Sequence, residues 1–297
     1  MANVTRIPPE LATTLAAIID SGSLDAAART LSITPSAVSQ RLKSLEQQLG
    51  HVLVVRGRPA TATAAGERVV RLARQIALLE HEALAGLGLE GDARISIPLA
   101  VNADSMATWF LAPLARIAAS REIDFDLHRD DQDFTARLLE SGEVMAAVTS
   151  ERTPVSGCTS SALGSLTYYA VAAPSFAERW FPHGVVDDEL RRAPFIDFDR
   201  RDGLQGAWLA ARGVDQIGIP RHYVPASHDF AQAVMLGLGW ALLPGAQETD
   251  AVACGDLVAL GGDRIRVPLY WQQWSLRSSV LDAIAAEVAS EAARVLD

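Results

Sequence analysis

Near the start of the chain, one face of a predicted helix carries polar residues whose types and spacing suit the reading of DNA. The set is Pro35, Ser36, Ser39, Gln40 and Lys43, with Arg41 beside it. Most of these side chains are donors that reach base edges or phosphates, and a recognition helix inserts its N-terminal end into the major groove. An ordinary solvated helix face has a similar composition, so this helix alone leaves both interpretations open.

The neighbouring residues predict the elements that position this face. Thr34 is a suitable N-cap, Pro35 suits the first helical position, and apolar residues recur from Val38 to Leu49 at helical spacing. Upstream, residues 8–21 carry a helical apolar stripe, and Ser23 can cap a short helix that reaches Leu31. A short helix, a tight turn and a polar-faced second helix together predict a helix-turn-helix.

Residues 53–63 predict a hairpin wing after this unit. Two brief β-prone pieces flank the sequence Arg56-Gly57-Arg58-Pro59. Arginines at such a tip suit a backbone or minor-groove contact with DNA, although a solvated turn is the alternative.

A long helix is predicted next, from Ala64 to about Leu87. Val69, Leu72, Ile76 and Leu79 alternate in steps of three and four, which is a heptad seam, and charged residues lie off it. The seam favours a dimerising linker helix over a helix packed on its own domain. Gly86, Gly88 and Gly91 mark a hinge after it.

From Arg94 onward, strands and helices alternate, which predicts an α/β unit with a parallel sheet. We expect a two-lobed domain of the periplasmic-binding-protein kind with two crossing strands. The predicted division is a winged helix-turn-helix over 1–63, a linker helix and hinge over 64–91, and an effector-binding domain over 92–297. Lobe I takes about 92–166 and 268–297, and lobe II takes about 167–267.

Ligands of such folds bind where strands end against helix N-termini. Four places qualify: Asn102–Met106, Arg129–Asp133, Asp197–Asp202 and Ser227–Asp229. Three of them are acidic, and an acidic turn is more often a solvated cap than a binding site. The candidate ligand residues are Asn102, Ser105, Met106, Trp109, Asp131, Asp133, Asp199, Asp202 and His228.

Charge and composition limit the function classes. The chain has a net charge of −10, yet residues 1–66 hold six basic and four acidic residues, so a mildly basic head precedes an acidic body. Neither a membrane-length apolar run nor a signal peptide occurs, which predicts a cytoplasmic protein. The two cysteines are isolated, and we found neither metal-ligand spacing nor a catalytic motif, so an enzyme and a metal cofactor are not expected.

The sequence resembles the LysR-type transcriptional regulators. The matching residues are Ala26-Ala-Ala28, Thr34-Pro-Ser-Ala-Val-Ser39, Leu45-Glu46, Leu49-Gly50, Leu53 and Thr63-Ala-Ala-Gly66. A narrower resemblance, to the ArgP/LysG (IciA-like) branch that controls basic amino acid export, lies in residues 100–109, Gly142-Glu143 and 268–271.

The resemblance implies a homodimer or tetramer that binds promoter DNA, contacts RNA polymerase and activates a lysine or arginine exporter gene. It implies L-lysine or L-arginine as the effector in the cleft between the lobes, with carboxylates that accept the cation. Of the acidic candidates we favour Asp131, at the expected start of a helix. The alternatives are a different small effector, or a replication-origin-binding inhibitor of the same family.

Overall fold

The computed structural model describes residues 6–89, 94–129 and 132–297. Asp131 lies outside these residues, and so does the side chain of Asp133. The predicted cation site at Arg129–Asp133 therefore remains a prediction. Among the described residues, no helix has both the length and the apolar character needed to cross a membrane.

The N-terminal head consists of three helices and a hairpin: α1 Pro9–Ser21, α2 Leu24–Thr30, α3 Pro35–Leu49, β1 Val54–Val55 and β2 Thr61–Ala62. Its helices begin where the sequence places caps. The Ser23 hydroxyl accepts the Ala26 amide, and the Thr34 hydroxyl accepts the Ala37 amide, each at 3.2 Å. Val38, Leu42 and Leu45 of α3 are buried against α1 and α2.

Short-range contacts attach the hairpin to α3 and to the next helix, α4 Ala64–Gly86. Glu46 accepts the Leu53 amide at 2.9 Å, and the Thr63 hydroxyl donates to the Val52 carbonyl at 2.8 Å. A Cβ at Gly66 would lie 2.1 Å from the Leu53 carbonyl oxygen, so only glycine allows this approach. The residues of the Thr63–Gly66 motif thus fix the angle between the wing and α4.

Helix α4 packs on both parts of its own chain. Val69 is only 6% exposed within the head core, so its side chain is not free for a seam between protomers. Leu72 and Ile76 are half-buried, and Leu79 is exposed. Of the four predicted seam residues, Leu79 is therefore the exposed one, and it lies in the C-terminal half of the helix.

Polar contacts also join α4 to the body. Arg71 donates to the Ser156 carbonyl at 3.1 Å and to the Gly157 carbonyl at 3.0 Å. Arg74 contacts both Asp20 of α1 and the Gly142 carbonyl. Glu82 accepts the Val280 amide at 2.9 Å. The head, the linker helix and lobe I are consequently in direct contact.

Lobe I begins the body with alternating strands and helices. Its elements are β3 Ile95–Val101, α5 Ala103–Thr108, α6 Leu111–Ser120, β4 Ile123–Arg129, α7 Gln132–Ser141 and β5 Ala146–Thr149. The long strand β6 Cys158–Ala172 then crosses into lobe II. Strand β3 pairs in parallel with both β4 and β5.

Lobe II comprises α8 Pro174–Trp180, α9 Asp187–Leu190, β7 Phe195–Asp197, α10 Leu204–Ala211, β8 Arg221–Tyr223, α11 Ser227–Met235, β9 Ala241–Pro244, α12 Gly245–Cys254 and β10 Val258–Ala259. Strand β11 Ile265–Trp274 returns to lobe I, where α13 Ser279–Val295 packs on α6. Strands β6 and β11 are antiparallel partners from Tyr168–Ile265 to Cys158–Trp274. These two crossing strands carry one seven-stranded sheet through both lobes.

Pro98 lies inside β3, although proline is disfavoured there. Its carbonyl accepts the Met145 amide at 2.9 Å, on the side of the strand that faces β5. Pairing with β5 begins only at Leu99, opposite Ala146. The missing N–H of Pro98 therefore costs no ladder hydrogen bond.

Candidate functional site

The first candidate site is the outer face of α3. Pro35, Ser36, Ser39, Gln40 and Lys43 are all exposed on it. Opposite them, the apolar residues of the helix are buried in the head. The face is therefore free to enter a groove.

Arg41 and the wing arginines have different surroundings. Arg41 is half-buried, and its guanidinium donates to the Thr14 hydroxyl at 3.3 Å, so it partly serves the packing of α3 on α1. Arg56 and Arg58 are exposed. The Ala60 amide donates to the Gly22 carbonyl at 2.8 Å, which ties the wing to the turn between α1 and α2.

The second candidate site is a cavity of about 330 Å³ between the lobes. Its lining comes from the start of α5, the crossing strands, the segment that leads into α10, and the start of α12. The lining residues are Asn102, Ala103, Asp104, Tyr168, Phe198, Asp199, Arg201, Asp202, Gly203, Leu204, Gln205, Phe230, Leu242, Leu243, Pro244, Gln247 and Val267.

Asp104 joins the two lobes across this cavity. One carboxylate oxygen accepts the Tyr168 hydroxyl at 2.7 Å, and the other accepts the Ser227 hydroxyl of α11 at 2.6 Å. Burial raises the pKa of Asp104, and the negative charge of Asp202 adds to the shift, while the two hydrogen bonds act in the opposite direction. A cation at this carboxylate would restore the preference for its ionised form.

The turn from Asp197 to Asp202 supplies further carboxylates. Asp202 accepts the amides of Phe198 at 2.9 Å and Leu204 at 3.0 Å. Asp199 accepts the Arg201 guanidinium at 2.8 Å. Burial, followed by the charge of Asp202, raises the pKa of Asp197 to about 7, and Arg221 partly opposes this shift. Asp199 and Asp202 thus organise their own turn as well as lining the cavity, whereas Asp197 is not among the described lining residues.

Several buried acceptors at this site have no partner among the described residues. They are Gln205 Oε1, Gln247 Oε1 and Asp197 Oδ1. The Gln205 amide nitrogen donates to the Ile196 carbonyl at 2.6 Å, so Gln205 Oε1 is the side-chain atom that has no partner among the described residues. Because buried acceptors without donors are costly, they indicate a ligand rich in N–H groups.

The predicted ligand residues have different locations. Asn102, Asp199 and Asp202 line the cavity, and the Asn102 side chain accepts the Ser105 amide at 2.8 Å. Ser105 is buried, Met106 packs on the lobe I core and His228 is exposed, and none of the three is among the described lining residues.

Trp109 is 4% exposed and packs edge-on against Phe110, 5.7 Å between ring centroids. Its ring belongs to the lobe I core, and Trp109, a candidate ligand residue, is not among the described residues that line the cavity. The walls are instead formed by Phe198, Phe230 and the apolar residues of β9 and β11. Asp104 and Ser227 lie within two of the four predicted places, but neither they nor Tyr168 were among the candidate ligand residues.

Comparisons with known proteins match both the head and the body of the chain. Residues 10–67 match the family described as bacterial regulatory helix-turn-helix protein, lysR family, and residues 91–293 match the LysR substrate binding domain. The HTH-type transcriptional regulator LysG of Mycobacterium tuberculosis (strain ATCC 25618 / H37Rv) is 45% identical over 287 residues, which cover 96% of this chain and 93% of LysG.

Two solved structures have the same overall fold. The crystal structure of ArgP from Mycobacterium tuberculosis is 42% identical, with a TM-score of 0.89, and covers 98% of this chain and 99% of its own. Full-length LysG from Corynebacterium glutamicum with bound effector Arg is 37% identical, with a TM-score of 0.79 and the same coverage. A DNA-reading head on a two-lobed body, matched over nearly its whole length by such proteins, places this chain in the LysR family of DNA-binding transcriptional regulators, among relatives named LysG and ArgP.

Proposed function

We propose that this regulator binds L-lysine or L-arginine in the cavity between its lobes and then activates the gene of a basic amino acid exporter. The observation that carries the effector assignment is the excess of acceptors in the lining. Asp104, Asp199 and Asp202 line the cavity, and Gln205 and Gln247 add buried oxygens that have no hydrogen-bond partner among the described residues. Cationic N–H groups are the natural complement of such a surface.

A basic amino acid matches the remaining lining as well. Phe198, Phe230, Leu242 and Val267 offer an apolar wall to its methylene groups. Arg201, which is held by Asp199, also lines the cavity and can pair with the α-carboxylate. Asp104 is the acceptor that we assign to a cationic group, because it is the lining carboxylate that both lobes contact.

The relatives support this assignment. LysG from Corynebacterium glutamicum has been solved with Arg bound, and a relative from Corynebacterium efficiens, 41% identical, is named lysine export transcriptional regulatory protein LysG. The exporter as the target and activation as the sign of the response come from this likeness. Asp131 and Asp133 remain sequence-based alternatives for the cation acceptor.

On the DNA side, we propose that a homodimer or tetramer binds promoter DNA in the cytoplasm through α3 and the wing. Half-site spacing requires two heads held at a fixed separation. The exposed side of α4, which includes Leu79 and Leu84, is available for this assembly. Effector binding would then alter promoter bending and the contact with RNA polymerase.

Calorimetric titration of the purified chain with L-lysine, L-arginine and L-norleucine tests the effector assignment. Norleucine has the methylene chain of lysine without the distal amine, so it is a matched control. We expect saturable binding of lysine or arginine and binding at least tenfold weaker for norleucine. If norleucine binds as tightly as lysine, the acceptors do not select a cation. If none binds, the chain is a LysR-family regulator with a different effector.

A further inference from the structure

A second cavity, of about 290 Å³, lies in lobe II at the C-terminal end of α10. Its lining residues are Trp208, Ala211, Arg212, Asp263, Arg264, Ile265 and Arg266. It shares no described lining residue with the cavity between the lobes. Helix α10 therefore has one cavity at each end.

Three arginines surround this second cavity against one carboxylate. Within the described residues, Arg212, Arg264 and Arg266 have no acidic group at ion-pair distance, and Asp263 is the only acidic residue of the described lining. The lining is thus net positive in a chain whose net charge is −10. Unpaired guanidiniums gathered at one place of an acidic protein indicate an anionic partner.

Aromatic rings hold two of these guanidiniums. The Arg212 guanidinium carbon lies 4.3 Å from the centroid of the Trp208 ring, and that of Arg264 lies 5.5 Å from the Tyr169 ring. Stacking fixes the plane of a guanidinium and leaves its N–H edges available. Gly262, at φ +84°, packs against the Arg212–Trp208 pair, since a Cβ there would lie 2.5 Å from an Arg212 nitrogen.

The unpartnered atoms at the second cavity are donors. Arg212 Nε and Trp208 Nε1 are buried, and neither has an acceptor among the described residues. At the first cavity, by contrast, the oxygens of Gln205 and Gln247 have no donor within the described part of the chain. A buried donor without an acceptor is costly, so the second cavity favours an oxygen-rich ligand.

We propose that this second cavity binds a small organic anion with two or more carboxylate or phosphate groups. The guanidinium fork matches both groups, because each presents two oxygens to parallel N–H bonds. The volume suits a molecule of about the size of citrate. The regulator thereby has two separate ligand sites of opposite charge preference, one at each end of α10.

Calorimetric titration of the full chain with citrate and with inorganic pyrophosphate at low ionic strength tests this site. We expect saturable binding that weakens as salt is added. Arg212→Gln, Arg264→Gln and Arg266→Gln should each weaken binding about tenfold. Arg264 and Arg266 are exposed, so their variants keep the test valid if Arg212→Gln lowers stability.

Arg179→Gln is the matched control, because Arg179 also stacks on a tryptophan of lobe II, 5.2 Å from the Trp180 ring, and does not line the cavity. Its affinity for both anions should equal that of the wild type. Tighter citrate binding would identify a carboxylate ligand, and tighter pyrophosphate binding a phosphate ligand. The proposal is overturned if neither anion saturates the wild type, or if Arg179→Gln weakens binding as much as the cavity variants do.

Discussion

Replacing Asp104 by Asn separates the role of its charge from the role of its shape. The carboxylate accepts one hydroxyl at each oxygen, from Tyr168 at 2.7 Å and from Ser227 at 2.6 Å. An asparagine of the same shape can accept one hydroxyl and donate to the other, because a hydroxyl oxygen is also an acceptor. Both contacts therefore survive, and only the negative charge is lost.

The expected loss of effector affinity follows from the surroundings of Asp104. Removing one member of a desolvated charge pair costs roughly 2–5 kcal/mol. Asp104 is half-buried rather than fully buried, so the lower part of this range applies. About 2–3 kcal/mol corresponds to a roughly 30- to 150-fold weaker affinity for L-lysine or L-arginine.

Although Asp104→Asn should bind the effector more weakly, its thermal stability without ligand should be equal to or higher than that of the wild type. The pKa of Asp104 is raised in the folded state, so its ionised form is the one that burial penalises. That penalty is absent at low pH and develops as pH rises through the folded pKa. Without an ionisable group, the variant should unfold at or above the wild-type midpoint at pH 8.

Calorimetry with L-lysine and thermal unfolding without ligand measure the two effects. Tyr168→Phe is the contrast, because it leaves the charge and removes one donor, which should cost roughly 1–3 kcal/mol of stability. If Asp104→Asn binds lysine within about twofold of the wild type, the Asp104 charge does not hold the effector. If the variant loses as much stability as Tyr168→Phe does, the two hydrogen bonds do not survive the substitution.

Three further predictions concern pH, DNA and assembly. Asp197 does not line the cavity, but its charge interacts with that of the lining residue Asp202, and its pKa is raised to about 7. A cation bound at Asp202 therefore favours ionised Asp197, so lysine affinity should rise with pH up to about 7 and level off above it, and Asp197→Asn should remove this dependence in calorimetry at several pH values. Gln40→Ala should weaken operator binding by roughly 1–3 kcal/mol and leave the binding of random DNA unchanged, whereas Lys43→Ala should weaken the binding of both DNAs and lower the slope of log affinity against log salt by about one. Equal losses for Gln40→Ala on operator and random DNA would exclude base reading by Gln40. The double variant Leu72→Asp, Leu79→Asp should lose dimerisation in sedimentation and operator binding in binding assays, because charge at a dry interface is costly. A double variant that still dimerises would show that this side of α4 is not the dimer interface.

The head could be predicted in detail because its signals are local. The caps Ser23 and Thr34 lie three residues from the amides that they accept, and the buried residues of α3 recur at helical spacing. The predicted helices agree with the structure to within about a residue, as local cap signals allow. The close backbone approach of Gly66 to Leu53 is the exception, because no local signal predicts it and both residues were singled out only as part of the family resemblance.

The cleft was harder to predict because its partners are distant in sequence. Asp104 is 64 residues from Tyr168 and 123 from Ser227, and no periodic pattern links them. Strand β6 begins at Cys158, and its polar first half has no apolar alternation that would predict a strand, since it is held as one by pairing with β11. Val69 and Trp109 show the same limit, because an apolar residue does not reveal which of two surfaces will bury it.

A crystal structure of the chain with L-arginine tests the central claim most directly, since it locates the effector and its partners together. We expect arginine in the cavity between the lobes, with a cationic group within about 3 Å of an Asp104 carboxylate oxygen. Arginine bound elsewhere, or with its cationic groups directed away from Asp104 and from the Asp197–Asp202 turn, would contradict it.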